Sequence, residues 1–260
     1  MGALTTKAVV LKDDEVIGQS IILATDEGAV QAKRALDEAL KGSGIPADKV
    51  EYIVVTGEGR KSVPFANKEK TTPTAIGKGA NRLFPSAGMV IDVGGESCHV
   101  IRLTPKGGVE DSMSNDRCAS GTGVFLETMT KYVLHLTPEE MTRLGLQSDQ
   151  MAEITSTCAI FAEQEVISHI HRQPPTPLPE VVGGIYNSIV SRVVGVAKRL
   201  IIEPDVVLAG GLAKDQAFVK TVERAIRRQT LVSDNPQLVS AIGAALVAQD
   251  RARQSNGKKP

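Results

Sequence analysis

Short apolar runs that alternate with polar turns predict β-strands near the start of the chain and again in its middle. The first runs flank the acidic stretch 13–15, and later ones flank a turn at residues 104–108 that contains proline and glycine. Apolar, β-branched runs bounded by such turns are typical of hairpins. The predicted strands are residues 7–12, 16–23, 50–55, 89–93, 97–103, 109–113 and 206–209.

Apolar residues that recur every three or four positions predict helices between and after these strands. Thr137 and Glu140 form a capping box, with Pro138 at the first helical position, and mark the start of one helix. The proline-rich stretch 173–179 is expected to be a loop. The predicted helices are residues 29–40, 124–136, 138–144, 158–170, 179–200 and 241–250, followed by a frayed tail at residues 251–260.

Strands alternating with helices predict an α/β fold with a mostly parallel sheet. An internal repeat supports this, because laying Met1 on Val93 places Gly2 on Gly94 and Thr5 on Ser97. The first copy lacks the strand that precedes the glycine in the second copy. We therefore expect an internal start or an N-terminal truncation, with the pair Ile-Asp just ahead of Met1.

The amino-acid composition and charge exclude several classes of protein. The 260 residues include 30 basic and 30 acidic side chains, and aromatic residues make up 3%. This balance lacks the usual signature of a nucleic-acid-binding surface, and no apolar run approaches the roughly 20 residues of a membrane span. The N-terminus shows no secretory signal, and three cysteines make a poor disulfide framework. These features predict a soluble, cytoplasmic protein.

Glycines that directly follow strands suggest phosphate-binding turns. They occur at Gly2, at Gly94 with Gly95, and at Gly210 with Gly211. A glycine allows backbone N–H groups to approach a phosphate, and a nearby carboxylate such as Asp92 can hold Mg²⁺ or its water. Such a turn can equally be structural, with glycine supplying a positive φ. Neither a P-loop nor a Rossmann fingerprint is present.

The cysteines suggest two candidate metal ligands. Cys118 and Cys158 each lie just ahead of a predicted helix, where the helix dipole favours a thiolate. Each can instead be a small buried side chain. Two thiolates are half of the set that a [4Fe–4S] cluster needs, and a two-fold dimer would supply the rest. Cys98 lies within a predicted strand and is expected to be part of the core.

Six motifs together closely resemble one family, the activators of 2-hydroxyacyl-CoA dehydratases and the related ATPase subunits of benzoyl-CoA reductase (BadF/BadG/BcrA/BcrD type). The resemblance extends from about Gly2 to Ala248, and the two cysteine motifs are highly specific to it. The motifs are TGEGR at residues 56–60, VPFA at 63–66, VIDVGG at 90–95, NDRCASGTGVFLE at 115–127, STCAIFAE at 156–163 and VVLAGG at 206–211.

The resemblance implies a duplicated actin/Hsp70/sugar-kinase (ribonuclease H-like) fold with ATP and Mg²⁺ in a cleft between two lobes. It also implies one [4Fe–4S] cluster that bridges a dimer, formed with itself or with a paralogous subunit. ATP hydrolysis would drive an electron, received from a ferredoxin or flavodoxin, to a partner dehydratase or reductase.

Site residues follow from the resemblance position by position. The catalytic pair is Asp92 and Glu96, and the metal ligands are Cys118 and Cys158. Glu96 departs from the glutamine that is usual in dehydratase activators, so an acidic group takes the position that orients the attacking water. The remaining nucleotide-binding residues are Gly2, Thr5, Thr6, Lys7, Gly94, Gly95, Gly121, Thr122, Gly123, Gly210, Gly211 and Lys214.

The expected domain organisation has residues 1–88 with 240–260 as lobe I and residues 89–239 as lobe II. A sugar or small-molecule kinase of the same fold is the alternative enzyme, although such a kinase has no reason to place thiols at two helix starts. A cluster-free, nucleotide-dependent interaction module is the alternative without catalysis.

Overall fold

The computed structural model describes residues 1–115, 122–148 and 150–257. Its strands are β1 (Thr5–Lys12), β2 (Glu15–Leu23), β3 (Val54–Val55), β4 (Lys68–Glu69), β5 (Met89–Val93), β6 (Cys98–Leu103), β7 (Val109–Ser114), β8 (Val206–Ala209) and β9 (Thr230–Val232). Its α-helices are α1 (Gly28–Ser43), α2 (Thr72–Leu83), α3 (Gly123–Thr128), α4 (Pro138–Gln147), α5 (Ala159–His171), α6 (Leu178–Arg199), α7 (Gln216–Ile226) and α8 (Val239–Asn256).

The chain divides into two compact units. Unit 1 comprises Met1–Ala87, Leu103–Glu110 and Gln237–Pro260, and unit 2 comprises Gly88–Arg102 and Asp111–Pro236. The terminal helix α8 therefore belongs with the N-terminal segment. In the described part of the chain, no helix is long and apolar enough to cross a membrane.

A single five-stranded sheet organises unit 2, in the order β7-β6-β5-β8-β9. The central strand β5 pairs antiparallel with β6 and parallel with β8. Nearly every side chain of β5 and β8 is buried, because helices cover this sheet and β5 has a neighbour on each side. Helix α6 forms the centre of the helical layer, packing against α4, α5 and α7.

Unit 1 contains two separate two-stranded sheets. Strands β1 and β2 form an antiparallel hairpin, closed by Asp13 and Asp14 with φ of 50° and 68°. Strands β3 and β4 form a short parallel pair. Helix α1 lies on the hairpin, where the buried Gln31 donates from Nε2 to the Leu23 carbonyl at 2.6 Å. The strand predicted over residues 50–55 is wrong in length, because β4 offers only two residues for pairing.

The helix predicted over residues 124–136 is also wrong in form. The α-helical part ends at Thr128, and Met129–Val133 forms a wider π-type turn. The Thr130 hydroxyl donates to the Leu126 carbonyl at 2.7 Å, while the Leu134 N–H reaches back five residues to the Met129 carbonyl. A side-chain hydroxyl thus competes for a backbone acceptor, which is a usual cause of such a turn.

The C-terminal tail is helical where we expected fraying. Helix α8 continues to Asn256 because its last turns are tied to the β1–β2 turn and to α2. Arg253 Nη2 lies 2.9 Å from the Asp14 carboxylate, and Lys78 is paired with Asp250. Elsewhere the capping box is confirmed: the Glu140 N–H donates to Thr137 Oγ1, and the Thr137 N–H donates to the Glu140 carboxylate.

Candidate functional site

The end of β5 carries the first predicted site residues of unit 2. Asp92 is the penultimate residue of β5 and is partly buried, between two fully buried neighbours. The strand then turns sharply, since the Gly94 N–H donates to the Ser97 carbonyl at 2.8 Å. Gly95 and Glu96 lie within this turn, so their backbone groups and the Asp92 carboxylate belong to one end of the sheet.

Gly210 brings the end of β8 against the end of β5. Its φ is 87°, and a Cβ added there would collide with the Val93 carbonyl. Only glycine satisfies both constraints. Since β5 and β8 are parallel neighbours, the turns that follow them emerge at the same edge of the sheet.

The start of α3 joins these two turns. The Gly123 N–H donates to the Gly94 carbonyl at 3.0 Å, and the Val124 N–H donates to the Gly95 carbonyl at 2.9 Å. A Cβ on Gly123 would approach Leu212 Cδ1 to 2.9 Å. Thr122 is fully buried. Three predicted segments, around residues 94, 122 and 210, therefore lie close together in the structure. Gly121 lies outside the described residues.

A cavity with both polar and apolar lining residues lies beside the turn that follows β8. Its volume is about 450 Å³, and the predicted residue Lys214 lines it together with Gln216, Lys220 and Asp234. Ser233 also lines it, and the Ser233 hydroxyl is buried without a hydrogen-bond partner among the described residues. Sequence reasoning missed Ser233 and Asp234, although they directly follow strand β9 as the other site residues follow β5 and β8.

The remaining predicted phosphate residues lie in unit 1 at the start of β1. The Gly2 N–H donates to the Thr5 carbonyl at 3.0 Å, which reproduces the turn at Gly94 and supports the register of the internal repeat. Lys7 Nζ lies 3.4 Å from the Thr5 carbonyl. Thr6 is 2% exposed, and its hydroxyl donates to Met1 Sδ at 3.5 Å.

The described cysteines differ sharply in environment. Cys98 in β6 is 1% exposed, and burial, with a smaller contribution from the Asp92 charge, raises the pKa of its thiol to about 12. Cys158 is partly exposed and occupies the N-cap position of α5. Cys118 lies outside the described residues. The protonated, enclosed thiol of Cys98 is a poor metal ligand, whereas Cys158 has the exposure that a ligand needs.

Two large apolar side chains project to solvent next to Cys158. Ile160 and Phe161, in the first turn of α5, are 65% and 61% exposed. The segment ahead of Cys158 is held firmly, because the Thr155 N–H donates to the Glu165 carboxylate at 2.6 Å. Glu165 thus acts as a structural acceptor in α5, a role that its sequence context did not indicate.

Comparison with known proteins places this arrangement in a family. Residues 1–248 match the model of the BadF/BadG/BcrA/BcrD ATPase family. The activator of lactoyl-CoA dehydratase from Anaerotignum propionicum is 38% identical over 254 residues, covering 98% of this chain and 97% of that protein.

Solved structures agree with this match. The activator of the 2-hydroxyisocaproyl-CoA dehydratase from Clostridium difficile, with bound ADPNP, superposes with a TM-score of 0.92 at 31% identity, covering 100% of this chain and 96% of that chain. A ROK family glucokinase from Streptomyces griseus shares only the fold, with a TM-score of 0.51 at 11% identity over 95% of this chain and 99% of that chain. The predicted actin/Hsp70/sugar-kinase fold is confirmed.

Proposed function

The chain belongs to the BadF/BadG/BcrA/BcrD ATPase family, and we propose that its ATP hydrolysis activates a 2-hydroxyacyl-CoA dehydratase by delivering low-potential electrons. The observation that carries this proposal is the convergence, in unit 2, of the Gly94 and Gly210 turns at one edge of the sheet, with the Lys214 cavity beside the second turn. A benzoyl-CoA reductase-type partner is the alternative within the same family.

Nucleotide binding is assigned to the converging turns. In this proposal the backbone N–H groups of Gly94 and Gly95 hold phosphate oxygens, and Gly210, Gly211 and Lys214 hold the adenosine. The Ser233 hydroxyl, which has no partner within residues 1–115, 122–148 and 150–257, supports a polar ligand in the cavity, because a buried donor without a partner costs free energy until one binds. The remaining assignments are Gly2, Thr5, Thr6 and Lys7 for the first phosphate motif and Gly121, Thr122 and Gly123 for the loop before α3.

The proposed hydrolysis site of this chain has two carboxylates in different roles. We assign Asp92 to hold Mg²⁺ or a water bound to it, and Glu96 to orient the attacking water and accept its proton. Carboxylate oxygens are the ligands that Mg²⁺ prefers. Asp92 suits its role because the strand on which it lies pairs with a neighbour on each side, so its backbone is fixed before nucleotide binds.

The iron–sulfur site is assigned to Cys118 and Cys158 from each of two subunits. The partial exposure of Cys158 at the N-cap of α5 fits this role, and the burial of Cys98 argues against a third ligand there. A bound [4Fe–4S] cluster would supply one-electron transfer at low potential. Within this chain, the N-cap position of α5 would present the Cys158 thiol to such a cluster.

A dimer is required if each subunit supplies two ligands. The exposed Ile160 and Phe161 support this proposal, because two large apolar side chains next to a proposed ligand would be covered by a second subunit. The second subunit is a copy of this chain or a paralogue. The electron donor in this proposal is a ferredoxin or flavodoxin, and thiolate ligation suits a reducing cytoplasm.

Iron content and ATPase activity, measured on the same anaerobic preparations, test the proposal. We expect about two iron atoms per chain, since four thiolates hold one four-iron cluster. Cys158→Ser should lose almost all of this iron, while Cys98→Ser keeps it. Asp92→Asn should lower ATP turnover by about a hundredfold or more, while the exposed control Asp111→Asn retains the parent rate.

Other outcomes would redirect the assignment. An iron-free protein that transfers phosphate to a sugar would support the kinase alternative. A protein that binds nucleotide without iron or turnover would support the interaction module.

A further inference from the structure

Helix α6 contacts both the nucleotide side of unit 2 and the segment that leads into Cys158. We propose that Tyr186, Ser188 and Arg192 are positioning residues that link the occupancy of the nucleotide cavity to the placement of Cys158. This inference rests on the proposed function, since it assumes that nucleotide binds beside Lys214 and that Cys158 is a ligand.

The Cys158 end of this linkage consists of carbonyl groups held by α6. Ser188 Oγ donates to the Thr155 carbonyl at 2.7 Å. Arg192 Nη1 donates to the carbonyls of Ser156 and Thr157, each at 3.2 Å. Because the Thr157 carbonyl belongs to the peptide unit that carries the Cys158 N–H, the guanidinium fixes the backbone immediately ahead of the thiol.

The nucleotide end is a short hydrogen bond from Tyr186, whose hydroxyl also meets Thr142 of α4. Tyr186 Oη donates to Asp215 Oδ2 at 2.6 Å, and Asp215 Oδ1 caps α7 by accepting from the N–H groups of Ala217 and Phe218. Asp215 lies between Lys214 and Gln216, which both line the cavity. A ligand that moves Lys214 or Gln216 therefore acts on Asp215 and, through it, on Tyr186.

The helix between the two ends is suited to transmit such a movement. Tyr186 and Arg192 are six residues apart, or about 9 Å along the axis of a helix. Most of α6 is buried, and the side chains between these positions that face the core have no room to rearrange. A Cβ on Gly145 of α4 would approach the Tyr186 ring to 2.5 Å, so the ring is enclosed as well.

The three side chains lie on two different faces of the helix. Ser188 and Arg192 are four residues apart and lie on one face, towards residues 155–157. Tyr186 lies on a different face, towards the start of α7. A shift or rotation of α6 caused at Tyr186 thus reaches the Cys158 segment without any change within the helix, and the fixed charge of Arg192 moves with it.

Alkylation of Cys158 in the cluster-free full chain tests this linkage without an activity assay. The rate of reaction with iodoacetamide is measured with and without ADPNP, and peptide mass spectrometry separates Cys158 from Cys98 and Cys118. We expect ADPNP to change the Cys158 rate by about fivefold, the lower end of ordinary allosteric coupling. Calorimetry on the same samples measures ADPNP binding.

Tyr186→Phe is the decisive variant, because it removes only the hydroxyl, which meets Asp215 and Thr142. We expect it to bind ADPNP but to lose the effect of ADPNP on Cys158. Tyr132→Phe, at a residue that is 73% exposed, is the matched control and should keep the full effect. Ser188→Ala tests the other end in the same way and serves if Tyr186→Phe does not fold. The double variant should lose no more than either single variant.

The outcomes separate the linkage from the proposed function. If ADPNP binds but leaves the Cys158 rate unchanged, or if Tyr186→Phe and Ser188→Ala both retain the parent response, the linkage is wrong and the proposed function stands. If the parent chain does not bind ADPNP, the proposed function is wrong and the linkage falls with it.

Discussion

The two units contain similar elements, but these elements form sheets with different numbers of strands. In unit 2 the hairpin β6–β7 and the parallel strands β8 and β9 lie on opposite sides of β5 in one sheet. In unit 1 the hairpin β1–β2 and the parallel pair β3–β4 form separate sheets, and no described strand joins β1 to β3. Even so, Gly57 meets Met1 as Gly210 meets Val93, with φ of 92° and 87°.

This comparison separates what short stretches of sequence encode from what a complete sheet adds. The glycine turns at Gly2 and Gly94 form identically in both units, with N–H to carbonyl distances of 3.0 and 2.8 Å. The burial of the strands, in contrast, differs between the units. Most side chains of β5 and all of β8 are buried, whereas Thr6 is the one fully buried side chain of β1. Turn chemistry is therefore local, while the core depends on the central strand.

The largest expected difference between the units concerns thiol reactivity at matched positions. Cys98 in unit 2 corresponds to Thr6 in unit 1 in the internal repeat. Burial raises the pKa of the Cys98 thiol to about 12, so at pH 8 its thiolate fraction, and hence its alkylation rate, should be about a thousandfold below that of an ordinary cysteine. The rate should increase with pH until the solution pH exceeds that pKa.

Thr6→Cys, made in a Cys98→Ser background, measures the same position in unit 1. Iodoacetamide labelling of this variant and of the parent chain across pH 7–10, followed by peptide mass spectrometry, gives the two rates. We expect the thiol at residue 6 to react faster than Cys98, because β1 has a strand on one side only. Equal alkylation rates for the two thiols would show that the separation of the strands of unit 1 into two sheets does not make this position more accessible.

The next prediction compares the two glycines that follow the parallel strands. Gly210→Ala should lower the free energy of unfolding by about 3 kcal/mol, from left-handed strain and from the displaced Val93 carbonyl. Gly57→Ala should cost about half as much, because Met1 lies in no strand and yields more easily. Urea unfolding of both variants gives the difference, and equal losses would contradict the comparison.

An effect of comparable size is expected from truncating one isoleucine in each unit. Ile91 in β5 is completely buried, so Ile91→Ala should lower the free energy of unfolding by about 3 kcal/mol. Ile22 in β2 is only partly buried, and Ile22→Ala should cost about 1 kcal/mol. If thermal and urea unfolding show the reverse order, the assignment of the main core to the β5–β8 sheet is wrong.

Much of this fold was predictable because its signals are local. The hairpins, the capping box at Thr137 and the strand before Gly210 each depend on a few neighbouring residues, and the structure confirms them. The π-type turn after Thr128 and the helical tail were not predictable, because Thr130 and Arg253 act through partners that periodicity does not reveal.

The candidate site likewise contains residues that the sequence identified and residues that it did not. Glycines after strands identified the turns around Gly94 and Gly210, because strand order alone brings the ends of parallel strands together. Ser233 in the cavity and Arg192 behind Cys158 carry no local signature: their roles depend on tertiary packing, which one sequence does not record.

The most direct test of the central claim is the midpoint potential of the proposed iron–sulfur cluster, measured in reconstituted protein with ADPNP, with ADP and without nucleotide. If ATP binding drives electron delivery, these potentials differ, and a shift of about 59 mV in this one-electron couple corresponds to about 1.4 kcal/mol of coupling. Asp92→Ala should abolish the difference without removing iron. Equal potentials in all three states would contradict the account.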